Sequence, residues 1–359
     1  MYLIRDARAA DLDGLHDVAR HLDSVNLPDD RQHLAQLIAS SEESFAGRRD
    51  VPDRRFLFVL IDDTSGRLVG TSMIFAQHGT LRAPHVYFDV REEERYSQTL
   101  NRHFTHRVLR IGYNYRGLTE IGGLVLLPEL RRHPARLGTL LSYVRFVYMA
   151  AHRAIFRDEV VSELMPPLEP DGTSRLWEAL GRKFTGLTYQ QADRLSHENK
   201  EFIRTLFPED PIYATLLPAE VQEVIGQVGP ETKGVEKLLR RIGFTYANRI
   251  DPFDGGPHFH ARIDDVTLVR NTRRVRSTAA GPSAPKEAQA ERLETRASTP
   301  VLVTAEDGAG APGHRFRALS THAALDPGGA TIALGEAEHR ALGIVPGAEV
   351  FALPLASPE

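Results

Sequence analysis

The stretch that most constrains this chain runs from Glu120 to Ser142. Glu120-Ile-Gly-Gly-Leu-Val-Leu-Leu127 is an apolar run of strand length, and Pro128 ends it. A basic turn follows, carrying Arg131, Arg132 and Arg136, and a helix is predicted to begin near Gly138. A strand feeding a helix through a short turn belongs to an α/β architecture. A helix N-terminus presents unpaired N–H groups and a partial positive charge, which suits a phosphate ligand. The three arginines add point charges around the same spot. Plain α/β packing produces the same pattern, so the rest of the chain has to arbitrate.

Composition narrows the classes. Of 359 residues, 42% are hydrophobic and 26% charged, as in a soluble globular protein of two or three domains. There is no cysteine, which excludes disulfides, thiolate nucleophiles and cysteine-ligated zinc and fits a reducing cytoplasm. No run of about 18 apolar residues occurs, so no membrane span is expected. Met1-Tyr-Leu-Ile-Arg-Asp lacks the basic and apolar regions of a secretory signal. A net charge of −4 makes no electrostatic case for nucleic acid. The basic run Arg270, Arg273, Arg274 and Arg276 reads instead as a solvated linker edge.

Along the chain, a strand opens residues 1–24, and Asp11 is placed to cap a helix with Leu12, Leu15, Val18 and Ala19 at helical spacing. Arg55–Ile61 and Leu68–Phe75, separated by Asp62-Asp-Thr-Ser-Gly66, predict a hairpin. Ser174–Gly181 leading to Phe184, and Val235–Gly243 leading to Phe244, both read as a helix stopped by glycine before an aromatic-led strand. That is either an internal repeat, giving two halves that share a sheet, or a joint common to any α/β protein. The expected organisation is 1–155, 156–276, a linker at 277–297 and a small β-barrel-like module at 298–359.

Taken in order, the segments resemble the arginine N-succinyltransferase family, acyltransferases of the GNAT type. The resemblance runs through Ile4-Arg5-Asp6, Val25-Asn-Leu-Pro28, Ser41–Phe45, Glu120–Leu124, Leu140–Phe146 and Trp177–Phe184. It continues through Asn199–Ile203, Pro211-Ile-Tyr213, Val224-Ile-Gly-Gln-Val228 and Asp251-Pro-Phe-Asp-Gly-Gly-Pro257. It implies a mixed sheet flanked by helices, with succinyl-CoA and arginine or a related amino acid as substrates. CoA would lie along Leu124, Val125 and Leu126, with its pyrophosphate at Arg131, Arg132, Arg136, Leu137 and Gly138. The backbone N–H of Leu124 would face the thioester. A homo- or hetero-oligomer fits the same reading.

The chain departs from the family at telling places. Arg136 stands where the turn's other glycine is expected. The family's proton-donating histidine falls at Gly229, and Arg20–Ser24 replaces a glycine-rich entry segment. His258 and His260, on one side of a short extended run, are candidate stand-ins for the proton donor, and Glu120 is a candidate base. Position 260 usually carries a carboxylate in the family. Asp251, Asp254 and Glu120 are candidate guanidinium partners. His-x-His invites a metal, but no third ligand stands at short spacing, so none is expected. The rival readings are an acyltransferase for another acyl-CoA or amine, and a non-catalytic CoA-binding subunit.

Overall fold

The computed structural model describes residues 1–21, 27–81, 83–280, 298–307, 315–326 and 328–355, without the side chains at 197 and 198. Most of the segment Arg20–Ser24, the Val25-Asn26 pair and the larger part of the expected linker, 281–297, lie outside the described residues. In chain order come β1 (Tyr2–Asp6), α1 (Leu12–Ala19), α2 (Arg31–Phe45), β2 (Arg55–Asp62) and β3 (Arg67–Phe75). Next are β4 (His85–Ser97), β5 (Arg102–Asn114), β6 (Thr119–Leu126), α3 (Leu137–Ala151) and β7 (Glu159–Glu163). A helical stretch leads to β8 (Ile212–Tyr213), then β9 (Thr245–Ile250) and β10 (Pro257–Arg262). The chain ends with β11 (Arg273–Ala279), β12 (Thr299–Asp307), β13 (Arg315–Ala323), β14 (Thr331–Leu334) and β15 (Glu349–Pro354). This is the expected mixed α/β fold.

Two compact units form. The first is Met1–Ala76, Ile121–Phe156 and Ile263–Glu359; the second is Gln77–Glu120 and Arg157–Arg262.

In the first unit the strands run β14-β11-β15-β12-β13-β1-β2-β3-β6. The β2–β3 hairpin forms as expected, and Asp62 closes its turn by accepting from the Thr64 N–H and the Ser65 hydroxyl. β2 is apolar on both faces, Phe56 through Leu60 all being fully buried, so it reads as a continuous hydrophobic run. Phe45 of α2 meets Phe56 and Phe58 edge-on at 5.1 and 5.4 Å, and Tyr148 of α3 joins them. Phe316 of β13 completes the cluster, and β13 pairs with β1 through Ile4–Ala318 and Arg5–Arg317. The Asp6 carboxylate accepts from the Phe316 N–H at 3.0 Å. Asp11 stands at the N-cap of α1, but its carboxylate serves Arg5 and the Arg8 N–H instead of the helix. β11 takes residues 277–279 out of the expected linker by pairing them with Ile332, Ala333 and Leu334 of β14.

In the second unit the order is β7-β10-β9-β4-β5-β8, all antiparallel, with Thr119 and Glu120 pairing in parallel to Val160 and Val161. Trp177 stacks on Phe253 at 5.1 Å within a core that includes Phe88, Leu176 and Ile225. The second helix–glycine–strand joint is present: the helix Lys233–Arg241 ends before Gly243, at φ +109°, and β9 follows. The first joint is absent. Gly181 lies within a helix that runs on past Phe184 to Gly186, at φ +72°, and another helix follows. A Cβ at Gly181 would stand 2.3 Å from the indole of Trp177, so this glycine makes room for a ring and stops nothing.

Candidate functional site

The expected ligand-binding segment folds as strand, turn and helix in the first unit. Gly123, at φ +54°, kinks β6 immediately before Leu124, and its carbonyl accepts from the buried Thr71 hydroxyl at 2.9 Å. Leu124 is half-buried, while Val125 and Leu126 are buried. After a short turn over Pro128–Leu130, Arg131, Arg132 and Arg136 are all exposed. Arg136 adopts the left-handed conformation, φ +53° and ψ +46°, at the N-cap of α3. That backbone is the one a glycine takes without strain, and here a bulky residue holds it. The carbonyl of Arg136 accepts from Thr139 and Leu140, leaving the Leu137 and Gly138 amides in a first turn that has no intrahelical acceptors. A Cβ at Gly138 would approach only Leu126, at 3.9 Å, so the space over this turn is open.

A second constellation lies in the second unit. Glu120, 3% exposed, ends the short parallel ladder to β7, and its Oε2 is 2.6 Å from Nδ1 of His78. The other nitrogen of His78 faces Oε1 of Glu163, the last residue of β7, at 3.8 Å. Nε2 of His85, at the start of β4, lies 2.8 Å from the same oxygen, and Nε2 of His258 lies 3.5 Å from it. The His85 and His258 rings stack at 5.2 Å, and β7–β10 register sets His258 directly opposite Glu163.

Burial sets the electrostatics. It lowers the His85 imidazole to about 3, helped by the neighbouring His78. It also lowers His258, against the pull of Glu163. His78 would be lowered by burial as well, but Glu120 and then Glu163 overcome that and raise it. Burial would raise Glu163, yet the surrounding imidazoles, His258 first, hold it well below the ordinary range. Asp251 is raised to about 7 by burial and by the Glu163 charge, and Asp254 is raised by burial and by Asp251.

The expected site residues thus separate. Glu120 and His258 join one cluster, with His78, His85 and Glu163, which sequence reasoning missed. His260 shares the His258 face of β10 and is half-buried. Asp251 accepts from the Phe253 and Asp254 amides and Asp254 from the Gly256 amide, so each carboxylate commits Oδ1 to the turn before β10. Gly229 is buried with its N–H donating to the Met165 carbonyl; a Cβ there would stand 2.5 Å from the Pro166 carbonyl oxygen. No helix among the described residues is long and apolar enough to cross a membrane.

The sequence model of the family described as "Arginine N-succinyltransferase beta subunit" matches residues 2–268. An arginine N-succinyltransferase of Photorhabdus laumondii is 35% identical over 278 residues, 77% of this chain and 80% of its own. The arginine N-succinyltransferase subunit beta of Pseudomonas aeruginosa is 34% identical over 275 residues, 76% of this chain and 79% of its own. The solved structure of arginine/ornithine succinyltransferase subunit AI from Pseudomonas aeruginosa superposes with a TM-score of 0.81 at 31% identity, covering 99% of each chain.

Proposed function

Because the chain belongs to the arginine N-succinyltransferase family, we propose that it moves a succinyl group from succinyl-CoA to the α-amine of arginine. The observation that carries this reading, beside the family, is the left-handed Arg136 backbone and open first turn of α3 directly after the kinked strand β6. In this account the CoA pyrophosphate takes the Leu137 and Gly138 amides, with Arg131, Arg132 and Arg136 neutralising its charge. The pantetheine arm follows Leu124, Val125 and Leu126, and the Leu124 N–H donates to the thioester oxygen as negative charge develops there. One such donor is worth about 10²–10³-fold in rate.

The amine attacks directly. The chain has no cysteine to carry the acyl group as a thioester. The family's proton donor has no counterpart at Gly229, where the carbonyls of Met165 and Pro166 leave no space for a side chain. A positioned general acid is worth about 10²–10⁴-fold. A thiol with a pKa of about 8.5 departs as thiolate with little assistance, so its loss slows the reaction without abolishing it.

A panel of acyl-CoAs and amines, read by thiol release from the full chain, tests the reading. Turnover highest with succinyl-CoA and arginine supports it. Preference for a different pair would assign another acyltransferase substrate. Saturable succinyl-CoA binding without turnover of any amine would favour the non-catalytic subunit, the reading that the blocked Gly229 position itself motivates. The relatives named as subunits are the reason to expect an oligomer.

A further inference from the structure

The geometry points to a divalent transition-metal site in the second unit, held by His78, His85 and Glu163 alone and open to a further ligand. One ring nitrogen of each histidine and one carboxylate oxygen of Glu163 lie within 4.8 Å of one another. Nε2 of His85 is 2.8 Å, and Nε2 of His78 is 3.8 Å, from Oε1 of Glu163. Donors about 2.1 Å from an ion stand about 2.8 Å apart at an angle of about 85°, and about 3.8 Å apart at about 130°. Unequal angles of this kind suit a five-coordinate ion better than a closed tetrahedron, so positions remain for water or another small ligand. Two imidazoles and one carboxylate are also the donor set that holds zinc, or iron(II), with coordination positions left free.

Two further observations distinguish a metal site from an ordinary ion-pair network. Nε2 of His85 and Oε1 of Glu163 are buried, and neither has a hydrogen bond of good geometry although they stand 2.8 Å apart. The approach is short but misdirected, and His85 is 3% exposed, so the ring nitrogen is cut off from bulk water. Buried polar atoms ordinarily find partners, and one ion supplies a partner to both atoms together. The second observation is the Glu120 contact to Nδ1 of His78, at 2.6 Å. A carboxylate on the far nitrogen of a ligating imidazole fixes the ring and strengthens it as a ligand, and it leaves Nε2 of His78 to face Glu163. The side chains of His78 and Glu163, 22% and 27% exposed, give an entry path from solvent.

The His258-x-His260 pair is not this site. His258 gathers with Glu163 and Asp251 instead, and to His85 it contributes a stacked ring at 5.2 Å. The three ligands come from the segment before β4, from the start of β4 and from the end of β7, so no short spacing displays them.

The inference does not depend on the acyltransferase reading, since it concerns metal uptake by the chain alone. The test strips the full chain with a chelator, removes the chelator, and titrates Zn²⁺ by calorimetry and Co²⁺ by visible absorption. One ion per chain is expected, with cobalt d–d bands stronger than those of the hydrated ion and shifted when azide is added. His85→Ala and Glu163→Ala should each lose that uptake, with circular dichroism confirming that each variant folds. His260→Ala, outside the ligand set, should keep it. Glu120→Gln, which removes only the supporting carboxylate charge, should weaken affinity about 10–100-fold. Absence of stoichiometric uptake in the unaltered chain, or uptake that survives in both the His85 and Glu163 variants, overturns the assignment. Cobalt bands that azide leaves unmoved overturn the open position. Should the alanine variants fail to fold, an affinity unchanged by Glu120→Gln overturns the assignment in their place.

Discussion

Oε2 of Glu120 sits 2.6 Å from Nδ1 of His78, joining the last residue of the β6–β7 ladder to the segment that precedes β4. Glu120 is nearly enclosed while His78 keeps contact with solvent, so the pair resists screening better than a surface bridge does. Glu120→Ala leaves His78 without this partner. The expected cost is about 1–3 kcal/mol, read as a lowered urea midpoint at unchanged slope. An unchanged midpoint would show the contact to be energetically idle.

Arg136 pays for its place at the head of α3 with a left-handed backbone. Arg136→Gly and Arg136→Ala remove the same charge, but only glycine relieves the conformation. The glycine variant should therefore be the more stable by about 1–2 kcal/mol in chemical denaturation, and both should bind acyl-CoA more weakly than the parent. Equal stability of the two variants would contradict the strained turn.

Restoring the family's imidazole by Gly229→His should fail to accelerate turnover. Its Cβ would meet the Pro166 carbonyl oxygen at 2.5 Å, and the backbone has to move to admit it. Destabilisation of about 1–3 kcal/mol with no gain in kcat is expected. A stable, faster variant would show that the site tolerates the donor.

The stability of chelator-treated protein carries a pH signature from Asp251. Its carboxyl titrates at about 7 in the fold against 3.8 ordinarily, so between those values the native chain holds a proton that the unfolded chain has released. Asp251 therefore costs stability progressively as pH rises through that window, at no more than about 1.4 kcal/mol per pH unit. Asp251→Asn lacks the effect. Its stability relative to the parent should climb from about pH 4 to about pH 7 and level off above. His85 has the opposite slope, but it is present in both chains and cancels in the difference. A relative stability independent of pH would contradict the raised Asp251 carboxyl and its place beside the Glu163 charge.

How far the sequence could be read depended on whether the signal was local. The β2–β3 hairpin has its turn residues between two apolar runs, and the helix before Gly243 has its stop at the expected place, so both were legible. Gly181 misled because the same residue type serves close packing as readily as helix termination; the ring of Trp177 a few residues upstream decides which. The pairing of β13 with β1 has no local trace, since it rests on the Asp6–Phe316 bond and on apolar faces far apart in the chain. In the candidate site, the apolar strand, the turn arginines and Gly138 were visible as a contiguous pattern, whereas the kink at Gly123 was not. The histidine cluster was not. His78, His85, Glu163 and His258 meet only because strand register brings them together, and no short spacing announces them.

The most direct test of the account is mass spectrometric identification of the product formed by the full chain from succinyl-CoA and arginine, with released CoA quantified alongside. The account predicts arginine carrying one succinyl group on its α-amine, in amount equal to the CoA released. Free CoA without that product, or no consumption of succinyl-CoA at saturating arginine, would contradict it.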